Sequence, residues 1–67
     1  MKFIHIERKP RGRCEIVWRL WVDGECVYRV SNWTMGPEEA ADHVAESMGL
    51  KVSHVTYGLH SAVAIAS

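Results

Sequence analysis

The stretch from Cys14 to Val22 alternates between two faces and runs straight into Asp23-Gly24, the dipeptide best suited to turn one antiparallel strand back on itself. Cys14, Ile16, Trp18, Leu20 and Val22 fall on one side, and Glu15, Val17, Arg19 and Trp21 on the other. The first side is the apolar one and is expected to be buried. A chain of 67 residues that commits this much of its length to a hairpin has room for one small sheet and little else.

Two registers compete for the returning strand. A two-residue Asp23-Gly24 turn places Arg29 opposite Trp18 and Glu25 opposite Val22, which puts charge into the apolar side. A three-residue loop, Val22-Asp23-Gly24, pairs Leu20 with Cys26, Trp18 with Tyr28 and Ile16 with Val30. A slip of one residue turns a strand inside out, so the second register is the expected one.

Upstream, Lys2 to Glu7 alternates with Ile4 and Ile6 on one face and reads as a first strand. Lys9-Pro10-Arg11-Gly12-Arg13 then reads as a strongly basic turn. Downstream, Gly36 precedes Pro37 at the first helical position, with Glu38 and Glu39 in the first turn. Ala41, Val44, Ala45 and Met48 repeat with helical spacing, and Gly49-Leu50 supplies a left-handed stop, so a helix is expected over Pro37 to Met48. Val52 to Tyr57 and Ala62 to Ala66 read as strands four and five around a turn at Gly58 to Ser61. The expected fold is α+β, in the order β-β-β-α-β-β: one domain over residues 1–67, an antiparallel sheet with one helix packed on one face.

Composition narrows the function. Hydrophobic residues make up 48% and charged residues 24% of the chain, too apolar for disorder. The chain contains no apolar run of roughly 18 residues, and the alternating N-terminus is not a secretory signal, so no membrane partner and a cytoplasmic location are expected. Cys14 and Cys26 fall roughly 20 Å apart in the chosen register, too far to bridge. Both are expected to be reduced and buried in the core. His5, His43, His54 and His60 show no paired metal-ligand spacing. No cofactor, metal or catalytic constellation is expected, and the chain reads as a non-enzyme.

The zero net charge conceals a dipole. Residues 1–34 carry seven Lys and Arg against four acids, and residues 35–67 carry Lys51 alone against Glu38, Glu39, Asp42 and Glu46. Glu38, Asp42 and Glu46 recur every four residues and form one acidic row on the outer helix surface. On the sheet face away from the helix, Arg19 and Arg29 flank Trp21, the composition of an interface hot spot. Arg8, Lys9, Arg11 and Arg13 form an alternative, basic site for nucleic acid.

From Arg11 to Leu50 the order of a strand, Val22-Asp23-Gly24-Glu25, a second strand and a helix with Ala40, Ala41 and Ala45 resembles the later part of a double-stranded-RNA-binding domain. That resemblance implies a similar sheet-and-helix layout. The family's lysine cluster at the helix start is replaced here by Gly36-Pro37-Glu38-Glu39, and its leading helix is absent, so the phosphate-binding residues do not carry over. In size, neutral balance, Asp-Gly hairpin, acidic alanine-rich helix and short final strands the whole chain also resembles small phage-encoded anti-CRISPR proteins. This second resemblance is one of style and assigns no residue. It implies a stoichiometric inhibitor that occupies a nucleic-acid-binding or subunit-binding surface of a CRISPR effector complex, whose channels are lined with Lys and Arg.

The leading expectation is therefore a protein-binding inhibitor, monomeric or weakly dimeric, that contacts a CRISPR effector subunit through the acidic row, the Arg19/Trp21/Arg29 face, or both. A nucleic-acid-binding module is the alternative, and an antitoxin-like dimer the third reading.

Overall fold

The computed structural model describes residues 1–67 and contains five strands and one helix: β1 (Lys2–Arg11), β2 (Glu15–Val22), β3 (Glu25–Ser31), α1 (Pro37–Ser47), β4 (Val52–Tyr57) and β5 (Ser61–Ala66). All neighbouring strands are antiparallel, in the spatial order β3-β2-β1-β5-β4. The expected α+β class and element order both hold. α1 connects the two edge strands and packs across one face of the sheet.

The core lies between that face and the helix. Ile4, Ile6, Leu20, Val22, Ala62, Ala64 and Ala66 from the strands meet Ala40, Ala41, Val44 and Ala45 from α1. The small alanines of β5 and the small alanines of the helix belong to the same core, which lets the two layers approach closely. Trp18, Tyr28, Val30, Met48, Val52 and Val55 close the margins. Trp18 Nε1 donates to the carbonyl of Met35 at 3.1 Å, so the indole's polar end is satisfied where it meets the loop before α1.

Both ends of the helix follow the sequence. Gly36 is the N-cap and Pro37 opens the helix. Gly49 adopts φ +72°, and the amides of Gly49 and Leu50 return to the carbonyls of Glu46 and Ala45 at 3.0 and 2.8 Å.

Three expectations are corrected. The first concerns the basic segment, which is not a turn up to Arg11: β1 continues through it, pairing Lys9 with Val17, Pro10 with Ile16 and Arg11 with Glu15. The reason is positional, because β5 accompanies β1 only as far as Glu7, opposite Ser61. Beyond that point β1 has a neighbour on one side alone, and a proline without an N–H is tolerated there. The turn begins at Gly12, with φ +70°.

The second correction is the hairpin register. Asp23 (φ 52°) and Gly24 (φ 83°) form a two-residue turn of the type with positive φ at both central positions, pairing Val22 with Glu25 and Trp21 with Cys26. Val27 is then an extra residue, after which Leu20 pairs with Tyr28, Arg19 with Arg29 and Trp18 with Val30. Local turn preference wins at the tip, and the bulge restores the apolar phase, so Tyr28 and Val30 reach the core side and Arg29 stays out.

The third correction follows from these two. Both cysteines are free, but they are exposed rather than buried. Cys14 lies in the turn before β2, and Cys26 sits across from Trp21 on the face away from the helix.

Candidate functional site

Because α1 covers only one face, the other face of the five-stranded sheet has no second layer. Strand parity places Phe3, His5, Glu7, Lys9 and Arg11 of β1 there, with Glu15, Val17, Arg19 and Trp21 of β2, Arg29 and Ser31 of β3, and Val63 and Ile65 of β5. Reading across the strands gives chemically distinct rows. Cys26, Trp21, His5, Val63 and Thr56 form one row, and Phe3, Ile65 and His54 lie beside it. Phe3 is 56% exposed and Val27, at the edge, 48%. On the other side of the Trp21 row, Arg29, Arg19, Glu7 and Ser61 form the next row, followed by Ser31, Val17 and Lys9. One half of the face is thus apolar and aromatic, and the other half is basic.

The basic half is a shallow groove of about 520 Å³ with Lys9, Arg11, Arg19, Arg29 and Ser31 among its walls. Glu15 accepts from Ser31 Oγ at 2.8 Å and lies 3.7 Å from Arg11 Nε. Glu7 lies 3.6 Å from Arg19. Its Oε1 is shielded from solvent and makes no hydrogen bond, so the Arg19 charge is the only compensation it has. Lys9 and Arg29 belong to none of the molecule's ion pairs.

The fold therefore brings together two sets of residues that the sequence kept apart. Arg19, Trp21 and Arg29 share their face with Lys9 and Arg11, because the expected basic turn is a strand. Arg8 and Arg13 do not join them: Arg8 has the opposite parity and borders a small pocket with Trp18, Pro37 and Tyr57, and Arg13 is in the turn after β1. Phe3, His5, Val63 and Ile65 are members of the face that sequence reasoning passed over. The alternation of the first and last strands carried the signal, but only the β1–β5 pairing places those strands beside each other.

The acidic row lies on the opposite side of the molecule. Glu38, Asp42 and Glu46 are all exposed on α1, and no Lys or Arg pairs with them. Glu38 accepts a hydrogen bond from the hydroxyl of Tyr57. That bond and the nearby negative charge raise the Tyr57 phenol above its usual value. Glu38 and Asp42 border a groove against β4, lined by Val52, His54 and Val55.

The histidines are dispersed. His5 lies on the open face between Trp21 and Val63, His43 stacks on Tyr28 with ring centroids 4.7 Å apart, His54 is on edge strand β4, and His60 is in the turn before β5. No helix is long and apolar enough to cross a membrane. No protein-family model, curated protein or solved structure matches the chain.

Proposed function

We propose that the chain is a non-enzymatic inhibitor that acts by binding a protein partner, and that the uncovered sheet face is its contact surface. The observation that carries this reading is the juxtaposition of an aromatic and aliphatic patch with a pair of arginines on one uncovered face. Tryptophan and arginine dominate the binding energy of protein interfaces, and a bare apolar patch on a small domain marks an interaction surface. The broad side of a molecule measuring 36 × 21 × 19 Å offers on the order of the 800 Å² that a standard-size interface buries on each partner.

The target class is a subunit surface of a CRISPR effector complex, as the anti-CRISPR resemblance implies. The acidic row of Glu38, Asp42 and Glu46 then remains available on the far side, where it repels guide or target strands or meets a second, basic subunit surface. Capture of CRISPR effector subunits from a bacterial lysate by the tagged chain, and loss of that capture with Trp21→Ala, is the expected result. Capture that survives Trp21→Ala but is lost on replacing Glu38, Asp42 and Glu46 with Lys moves the contact to the helix.

One observation favours a second reading, a nucleic-acid-binding module: Lys9 and Arg11 lie on the same face as Arg19, Trp21 and Arg29. Such a module would lose affinity steeply with salt as phosphate counterions are released. Micromolar or tighter binding of generic duplex at physiological salt would select it.

A further inference from the structure

We propose that the groove formed by Lys9, Arg11, Arg19, Arg29 and Ser31 receives the carboxylates of an acidic segment of the protein partner, whose apolar side chains lie on the Trp21 and Phe3 rows. This inference rests on the reading of the sheet face as a protein-contact surface and specifies the chemistry of the partner.

Charge complementarity carries it. Arg19 and Arg29 are direct cross-strand partners, and like charges placed so destabilise a sheet. Lys9 and Arg29 have no carboxylate within 4.0 Å, and Arg11 and Arg19 meet theirs only at 3.7 and 3.6 Å. The groove holds more positive charge than its own acids, Glu7 and Glu15, neutralise. An incoming carboxylate seated between Arg19 and Arg29 accepts from both guanidinium groups and removes their repulsion.

The rest of the face selects the class of partner. A nucleic-acid strand needs a continuous basic track and flat rings for its bases. Here Glu7 and Glu15 interrupt the cations, so no continuous basic track runs beside the rings of Trp21, His5 and Phe3, and the aliphatic Val63 and Ile65 lie among those rings. A protein segment with acidic residues at one end and apolar residues at the other satisfies both halves together.

The test uses the whole chain and three probes: a short peptide with Glu residues at one end and Leu residues at the other, its counterpart with Gln in place of Glu, and a short oligothymidylate. Binding is followed by tryptophan fluorescence and calorimetry. The Glu peptide is expected to bind at least about tenfold tighter than the Gln peptide, and Arg29→Gln to remove about that factor, which corresponds to 1.4 kcal/mol. Lys9→Gln provides a second variant outside the hairpin, and circular dichroism checks that each variant is folded. Oligothymidylate binding more tightly than the Glu peptide overturns the proposal in favour of nucleic acid. If both peptides bind equally and only Trp21→Ala weakens them, the acidic-segment proposal fails while the protein-contact reading stands. Absence of binding by all three probes also overturns the proposal, and lysate capture then decides the broader reading separately.

Discussion

Arg19 and Arg29 face each other across β2 and β3, on the side of the sheet that no other element covers. Only one of them is compensated: Arg19 lies beside Glu7, and Arg29 has no acidic partner. The unliganded fold therefore keeps a repulsion that a single neutral substitution would relieve.

The two arginines should respond differently to neutralisation. Arg29→Gln removes a cross-strand repulsion and is expected to leave stability unchanged or raise it by a few tenths of a kcal/mol. Arg19→Gln also relieves that repulsion but removes the countercharge of Glu7, whose side chain is 43% exposed, so a net loss of no more than about 0.5 kcal/mol is expected. Urea unfolding of both variants measures the difference, and equal effects would show that the Glu7 contact contributes nothing.

Replacing Glu38, Asp42 and Glu46 together with Lys should not unfold the domain, since all three side chains lie outside the core. The variant loses the Tyr57 hydrogen bond and exchanges one like-charge row for another, so its thermal midpoint is expected to stay close to that of the parent. If the sheet face makes the contact, partner affinity survives this change and is lost with Trp21→Ala.

The Tyr57 phenol gives an alkaline signature. Its proton is held more tightly in the folded state than in the unfolded one, because the hydroxyl donates to Glu38 and a negative charge lies nearby. The stabilisation is complete below the unfolded phenol value of about 10 and disappears as pH rises through the higher folded value. Tyr57→Phe should abolish this component of the alkaline destabilisation, and in the parent the tyrosinate absorbance of Tyr57 should develop at higher pH than that of a free tyrosine.

The turn and the core offer two stability tests of different size. Gly24→Ala places a side chain at φ +83° and is expected to cost about 1 kcal/mol, although a Cβ there meets no other atom. Leu20→Ala empties a fully buried position and should cost about 2–5 kcal/mol, enough to unfold a core this small. Thermal unfolding of the two variants separates backbone strain from lost packing.

Periodicity and capping signals made the helix and the two final strands legible almost to the residue. Gly36, Pro37 and Gly49 mark the helix ends by their own backbone chemistry, which needs no tertiary information. The hairpin was harder to read, because an Asp-Gly turn and an apolar phase required different registers, and only a bulge at Val27 satisfies both. A bulge leaves no composition signal beyond the conflict it resolves. Pro10 and Gly12 look like a single break in the sequence, but whether a proline interrupts a strand depends on whether a neighbour needs its N–H, which is a property of the sheet order. The candidate site was half legible for the same reason. Arg19, Trp21 and Arg29 share a face by simple alternation, whereas their association with Lys9, Phe3 and Ile65 depends on pairings between distant strands.

The pairing of β1 with β5 joins the second residue of the chain, Lys2, to the last but one, Ala66, in the interior of the sheet. On one side of that seam lie β1, β2 and β3, joined by short turns, and on the other the β4–β5 hairpin. The pairings along the seam join segments far apart in sequence, and burial must offset the entropy of bringing them together. Such a chain should fold slowly for its length and unfold in one cooperative step. A break along the seam would therefore part Val63 and Ile65 from the Trp21 and Phe3 rows of the uncovered face.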